Sequence, residues 1–501
     1  MARSRMVQSF KKKAFSGSLW MAGVSFGQQI VQFAVQIVLA RLLLPRDYGV
    51  AALVMTIGSF AVVFSSAGIG AALVQRKDLT RDMIDASAVI TAGLACALGL
   101  TIFCLSDFAS RFYEISELFF LLKIVGLDVF LKVMISLYDS LMLREMMFRA
   151  AAVRNLAGLL LQAAVSVFLA SRGFGAKALV YGYISGSAAQ LALCVAATRY
   201  VPRSFGTFGR VGGIFRFGAW VLGGKIANQL AMVLDQMIIA RVLNVNLLGL
   251  FNVSKTLTGI VPNTLVGFVG RIALPLFSRW QDDRARLESA YQRGLRINMM
   301  VVFPICLVVG LFSYQILSLL YGPKWIDGAG LMRILAVSVA IASIDAGYTA
   351  SAFNATGNPQ CITYILLLSL PLFPLCIWIG SFWGVVGVVW SLVASSLLFL
   401  GVNLFLIRLR LGFKVMRVFD HVGKVLLTLV PAAVTGAALL NLNVLPAGVP
   451  PKVLSVDWFV LGLSTAFCAF LCLALCALFA RIFMKDDFLF LWNGVKGVLK
   501  R

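Results

Sequence analysis

Charge and histidine are both scarce in this chain. Of its 501 residues only 13% are Asp, Glu, Lys or Arg, about half the share found in soluble domains. The single histidine, His421, lies in a basic segment between two apolar runs. A soluble globular class is therefore excluded, and so is catalysis inside a membrane that depends on histidine.

A nucleotide-binding loop is missing as well. The nearest segment to the G-x-x-x-x-G-K-[ST] pattern is Gly223-Gly224-Lys225, which lacks the upstream glycine at the required spacing and is followed by Ile226. Without that loop the chain has no cradle for a nucleotide phosphate. Direct use of ATP is excluded, so transport by this chain would draw on an ion gradient, the membrane potential or the substrate gradient.

The cysteines do not form a metal-binding pattern. All nine lie in apolar segments, and Cys468, Cys472 and Cys476 follow one another at helical spacing. A metal site would need ligands of other types beside them, and the surrounding sequence supplies none. We therefore expect these cysteines to be small lipid-facing or packing residues, with no metal site and no disulfide framework.

Long apolar runs make up most of the chain. Hydrophobic residues make up 60% of it, and the mean hydropathy is +0.94. Runs of about 20 apolar residues cross a bilayer as helices. The sequence predicts an all-α polytopic membrane protein with about fourteen spans, at 16–40, 50–73, 83–106, 118–138, 157–170, 178–198, 218–240, 248–276, 298–320, 329–353, 361–379, 385–407, 425–441 and 457–480.

The basic residues follow the order of these spans. The chain has 44 Lys and Arg against 20 Asp and Glu, a net charge of +24. With the N-terminus inside, the inner segments contain 30 Lys and Arg and the outer loops contain 8, which is the asymmetry of the positive-inside rule. The surplus predicts cytoplasmic N- and C-termini and contact with anionic membrane lipids, and it does not indicate a nucleic-acid partner.

A repeat about two hundred residues long divides the chain. Residues 15–49 and 215–249 align without a gap and are identical at nine of 35 positions, against about two or three expected by chance. The copies are six spans apart and run in the same direction, as in parallel transporter repeats. This predicts an N-lobe at 1–200 with spans 1–6, a C-lobe at 201–410 with spans 7–12, and spans 13–14 with a cytoplasmic interfacial tail at 411–501. Identical pairs include Gln29/Gln229, Gln36/Gln236, Arg41/Arg241 and Gly49/Gly249.

Both copies of the repeat carry a polar stripe along one helix face. On span 1 it consists of four glutamines, and on span 7 amides alternate with charged residues at helical spacing. Two interpretations are open: the stripes face a common water-filled substrate cavity, or they form interhelical hydrogen bonds, each contributing about 0.6–2 kcal/mol. The number of amides favours the cavity. The stripes consist of Gln28, Gln29, Gln32 and Gln36, and of Lys225, Asn228, Gln229, Asp235 and Gln236.

Six basic and three acidic residues lie inside the spans: Lys123, Lys132, Lys225, Lys255, Arg271 and Arg333, and Asp128, Asp235 and Asp345. Each costs several kcal/mol unless it is solvated or paired, so each is a functional candidate. Arg271 and Arg333 lie near span ends, where we expect contact with lipid headgroups. Lys225 and Lys255 are candidates for an anionic substrate group, and Asp235 for binding the coupling ion. The alternatives are an Asp235–Lys255 pair and contact of Lys225 with lipid headgroups at the inner face. Arg41 and Arg241 end their helices at the outer mouth, where ligand contact and contact with lipid headgroups are both open.

A different pair of charges has a local explanation. Asp128 and Lys132 are four residues apart on span 4. Side chains at this spacing are neighbours on a helix surface. We expect an ion pair that neutralises both.

The segment at 39–80 resembles the start of the polysaccharide-exporting lipid flippases of the multidrug/oligosaccharidyl-lipid/polysaccharide (MOP) superfamily. It contains LARLLLPRDYG at 39–49 and GAALVQRKDLT at 70–80, which are similar to motifs of the branch with the colanic acid and succinoglycan exporters. Residues 234–257, 271–283 and 321–338 resemble later landmarks of that branch. One departure is the turn at 244–246, Asn-Val-Asn, where the first copy has Leu-Pro-Arg.

The resemblance implies a flippase of the bacterial inner membrane rather than an enzyme. Its substrate would be an undecaprenyl-diphosphate-linked oligosaccharide destined for exopolysaccharide or lipopolysaccharide. It also implies a cationic cavity and coupling to H⁺ or Na⁺, with no other cofactor. Besides the substrate and membrane lipids, polymerase and chain-length proteins are candidate partners. Two alternatives are a multidrug or organic-cation antiporter of the same fold, and a membrane-embedded polysaccharide polymerase or ligase. The first would favour an acidic cavity and the second a large outer loop.

Overall fold

The computed structural model describes residues 27–64, 73, 80–202, 226, 229–230, 233–345, 347–441 and 456–484. All regular structure within these residues is helical. The first half contains α1 (27–42), α2 (Pro45–Val63), α3 (Arg81–Tyr113), α4 (Ser116–Arg144), α5 (Phe148–Ser171), α6 (Ala176–Thr198), α7 (233–242) and α8 (Val245–Ser278). The second half contains α9 (Arg284–Leu311), α10 (Ser313–Leu320), a 3₁₀ turn (Pro323–Gly328), α11 (Ala329–Ser343), α12 (Tyr348–Ala355), α13 (Gln360–Ser381), α14 (Gly384–Leu411), α15 (Met416–Asn441) and α16 (Val456–Phe483).

The prediction of an all-α polytopic membrane protein is confirmed. Each of the fourteen predicted spans overlaps one of these helices. Within the described residues, ten helical segments are long and apolar enough to cross a membrane. The periodicity and length of the apolar runs therefore located the spans well.

Three predicted span starts were wrong, two by nine residues and one by fourteen. The fifth span begins at Phe148, the ninth at Arg284 and the thirteenth at Met416, each inside a segment that the charge count had assigned to a loop. The extensions carry polar contacts: Arg154 forms an ion pair with Asp139 of α4, and Lys424 forms one with Asp420 at the start of α15. His421 consequently lies within a helix, where it is buried, and not in a loop.

Two predicted spans are broken helices. The ninth continues from α9 into the short α10 with a break at Phe312, and the tenth is interrupted between α11 and α12. At the second break Gly347 has φ +78°, a left-handed conformation that glycine adopts without strain. The backbone N–H of Thr349, in the first turn after the break, donates to Asp345 Oδ1 at 2.9 Å.

Consecutive helices pair as hairpins through close glycine contacts. In the pair α3–α4, a Cβ placed on Gly99 would lie 2.8 Å from the carbonyl oxygen of Gly126, and the reverse distance is the same. Gly380 and Gly387 bring α13 and α14 together in the same way. Small residues let membrane helices approach closely where lipid offers no hydrophobic driving force.

The chain divides into two compact units, residues 1–249 and 250–501. In the second unit the three cysteines of α16 are buried, and Cys472 Sγ lies 3.6 Å from the carbonyl oxygen of Ala432 on α15. Their predicted packing role is confirmed. The lobes at 1–200 and 201–410 and the tail region at 411–501 stay a prediction.

Candidate transport site

The glutamine stripe of α1 lies on the surface of the first unit. Gln29 and Gln32 are exposed, and Gln28 and Gln36 are partly buried. In the described part of the chain, the side chains of Gln28, Gln32 and Gln36 make no hydrogen bond; only the backbone carbonyl of Gln36 accepts one, from Tyr48 at 3.3 Å. Unbonded amides are costly in lipid and are better matched to water or to a polar ligand.

The span 7 stripe has different surroundings. Gln229 Nε2 donates to Ser59 Oγ at 3.1 Å, and Gln236 Oε1 accepts from Thr56 Oγ1 at 2.5 Å. Both partners are on α2. Interhelical hydrogen bonding, the second of the two interpretations, therefore describes these two amides in this conformation, while their contact with substrate stays a prediction.

Next to these hydrogen bonds, α2 and α8 cross at a pair of repeat-related glycines. A Cβ on Gly49 would lie closer than 3.0 Å to the carbonyl oxygen of Val245, and a Cβ on Gly249 equally close to that of Pro45. The two contacts are reciprocal, as expected where repeated segments pack about a local two-fold axis. Both positions were identical in the sequence repeat, but the alignment gave no sign that they touch.

The charged residues of the stripe are only partly described. Lys225 and Asn228 lie outside the described residues. Asp235 is buried, and its Oδ1 accepts from the backbone N–H of Gln236 at 2.8 Å. Lys255 is partly buried, with its Nζ 5.4 Å from the ring centre of Phe251. The assignments of Asp235 to ion coupling and of Lys255 to substrate binding stay predictions, and so does the alternative pair between them.

Turns at one end of the helices in the first unit form a polar cavity of about 250 Å³. Arg241 is exposed and pairs with Glu114 at 2.9 Å, while Arg46 pairs with Glu117 at 3.3 Å. Glu114 has φ +57°, a conformation that is strained for a residue with a side chain. Arg41 is partly buried in α1. The lining residues are Arg46, Glu114, Ile115, Ser116, Asn244, Val245 and Asn246.

Both turns at which the two repeat copies differ, Leu-Pro-Arg at 44–46 and Asn-Val-Asn at 244–246, contribute lining residues to this cavity. Its carboxylate, guanidinium and amide groups can donate to and accept from hydroxyl groups. Sequence reasoning had noted both turns without bringing them together, and it missed Glu114. No sequence signal points to Glu114, because its role depends on the turn between α3 and α4.

The predicted ion pair between Asp128 and Lys132 is confirmed at 2.7 Å. Asp128 is 1% exposed and also accepts from Ser187 Oγ of α6 at 2.6 Å. The pair therefore holds α4 against α6, and a structural role accounts for both charges.

The break between α11 and α12 contains a third acid. Asp345 Oδ2 accepts from Asn403 Nδ2 of α14 at 3.0 Å, in addition to the backbone of Thr349. The hydroxyl of Thr349 in turn lies 3.1 Å from Tyr291 Oη. Sequence reasoning had named Asp345 as a membrane-embedded acid without assigning it a role. The structure shows it as the group that joins the helix break to α9 and α14.

Comparison with known proteins identifies the family. The family model described as "Polysaccharide biosynthesis protein" matches residues 38–330. The chain belongs to this family. Among curated relatives, the succinoglycan biosynthesis transport protein ExoT of Rhizobium meliloti (strain 1021) is 26% identical over 313 residues, 62% of this chain and 63% of that protein. The lipopolysaccharide biosynthesis protein WzxC of Escherichia coli (strain K12) is 25% identical over 66% of this chain and 67% of that protein.

Two solved structures share the fold of this chain. The lipid II flippase MurJ, in an inward closed conformation, superposes with a TM-score of 0.67 over 93% of this chain and 99% of that one, at 11% identity. An inward-facing multidrug resistance transporter of the MATE family gives 0.62 over 77% and 94%, at 17% identity. The resemblance and the fold predicted from sequence are confirmed.

Proposed function

We propose that this protein moves an undecaprenyl-diphosphate-linked oligosaccharide from the inner to the outer leaflet of the bacterial inner membrane, for exopolysaccharide or lipopolysaccharide biosynthesis. The substrate class is supported by the family and by the named pathways of ExoT and WzxC. In this proposal the chain is a transporter with cytoplasmic termini, it works by ion-driven alternating access, and polymerase and chain-length proteins use its product.

The observation that carries the proposal is the row of unbonded amides on α1. Gln28, Gln32 and Gln36 lack side-chain partners within the described residues although they belong to a membrane helix. An amide both donates and accepts, as a sugar hydroxyl does, and it adds no charge that would trap an ion. A helix with this face is suited to a path for a neutral or weakly charged oligosaccharide.

The remaining residues take roles by their chemistry. Lys225 and Lys255 would bind the diphosphate, since an ammonium group is a compact partner for phosphate oxygen. Asn228, Gln229 and Gln236 would join the sugar path once the hydrogen bonds of the last two to α2 open. Asp235 would bind the coupling H⁺ or Na⁺, and Asp235→Asn would then change the ion dependence of transport in proteoliposomes.

The amide row is tested by removing it. We expect the double variant Gln28→Leu/Gln32→Leu to insert normally and to lose export of polymer, because leucines offer sugar hydroxyls no partner. Gln360→Leu is the matched control, since Gln360 is an exposed glutamine at the start of α13. The assay is polymer at the cell surface per amount of protein in the membrane. Full export by the double variant would show that α1 does not line the path of the sugar.

A further inference from the structure

The second unit contains an apolar cavity of about 600 Å³ between α9, α11, α14 and α15. Its walls are aliphatic and aromatic, with Phe303 and Leu307 on α9, Leu404 on α14 and Phe419 on α15. Among the described residues that line it, Arg333 of α11 is the single charged one. The cavity is distinct from the α1 stripe and from the polar cavity of the first unit.

The guanidinium of Arg333 is fixed but not satisfied. Its Nε donates to Ser313 Oγ of α10 at 3.1 Å, which orients the plane of the group. Within the described residues, its two Nη nitrogens have neither a hydrogen-bond acceptor nor a carboxylate partner. Two parallel N–H groups on a fixed guanidinium match the oxygens of a phosphate.

The dimensions of the cavity match a single lipid chain. From Arg333 to Ile344 the lining covers eleven residues of chain, about 16 Å at helical rise. That is about the depth of one leaflet of a hydrocarbon core of roughly 30 Å. If a methylene group takes up about as much space as a water molecule, about 30 Å³ in the liquid, the volume holds on the order of twenty chain carbons.

We propose that this cavity is the binding site of a resident anionic phospholipid, with its phosphate on Arg333 and one acyl chain between α9, α11, α14 and α15. In the proposed topology α11 begins at the outer face, so the lipid comes from the outer leaflet. About twenty carbons suit one acyl chain, whereas most of a polyprenyl chain of fifty-five carbons would have to lie outside the cavity. The site therefore belongs to a membrane lipid, and its occupancy does not depend on the transported substrate.

Native mass spectrometry tests the site directly. The full-length protein is released from nanodiscs containing equal amounts of phosphatidylglycerol and phosphatidylcholine, and the retained lipid is weighed. We expect one phosphatidylglycerol per wild-type chain, and retention about tenfold lower in Arg333→Gln, because a hydrogen bond to a charged group contributes about that factor in affinity. Retention by Arg333→Lys should lie between these two values, since lysine keeps the positive charge but lacks the paired N–H groups of the guanidinium.

Two further variants separate the site from general lipid adhesion. Arg172→Gln removes another exposed arginine, one that lies over the ring of Phe168, and should retain phosphatidylglycerol as the wild type does. Ala340→Trp fills the cavity and should lower retention of both lipids with the arginine intact. Equal retention by wild type and Arg333→Gln would overturn the proposal. A polyprenyl diphosphate in place of a phospholipid, on protein extracted from cells, would also overturn it.

Discussion

The crossing of α2 and α8 predicts a strong effect of one methyl group. In Gly49→Ala the new Cβ would lie closer than 3.0 Å to the carbonyl oxygen of Val245, and in Gly249→Ala equally close to that of Pro45. A backbone oxygen cannot rotate aside as a side chain can, so one helix must shift. Overpacking of this kind costs about 1–3 kcal/mol, and occasionally more. By contrast Gly93 of α3 has no atom within 4 Å of an added Cβ, so Gly93→Ala should gain about 0.5–1 kcal/mol from helix propensity.

The assay is thermal unfolding of the purified protein in one detergent, with polymer export measured in parallel. We expect Gly49→Ala and Gly249→Ala to melt below the wild type and Gly93→Ala at or above it. The double variant Gly49→Ala/Gly249→Ala should cost less than the two single changes together, because one displacement of the helices relieves both clashes. Wild-type melting of Gly49→Ala would show that the two helices do not cross as described.

Three further outcomes follow from contacts of the described residues. Asp128→Asn should lower stability by about 3 kcal/mol, at the low end for breaking a buried pair because the Lys132 side chain is 38% exposed; unchanged thermal melting would contradict this. A double-mutant cycle with Thr56→Val and Gln236→Leu should give a coupling of about 0.6–1.7 kcal/mol, and a coupling of zero would exclude the bond. Lys255→Glu should abolish export with normal insertion, whereas full export would count against a phosphate role.

Much of the fold could be predicted from the sequence because bilayer thickness fixes the length of an apolar helix. The errors arise because hydropathy registers single residues and not the contacts between them. Hydropathy placed the fifth span late, since it registers the charge of Arg154 but not the ion pair that accommodates it. It also could not show that the tenth span breaks at Asp345, where a carboxylate and Asn403 satisfy polar groups at membrane depth.

The candidate site was predicted by residue type and not by contact. Matching glutamines at a spacing of two hundred identified both stripes, since amides are rare in membrane helices. Gln236 accepts a hydrogen bond from Thr56, whereas the side chain of its counterpart Gln36 makes none within the described residues. The repeat could not show this difference, because the partner of each amide depends on how its helix packs. Arg333 was assigned to helix-end contact with headgroups on position alone; its fixed guanidinium beside an apolar cavity appears only in three dimensions.

Deletion of the gene followed by analysis of lipid-linked sugars tests the transport proposal most directly. The account predicts that complete oligosaccharide repeat units accumulate on the polyprenyl carrier at the cytoplasmic leaflet, with no polymer outside and recovery when the intact chain is supplied. Repeat units that still reach the outer leaflet of the deletion strain, where an added glycosidase can cleave them, would contradict it.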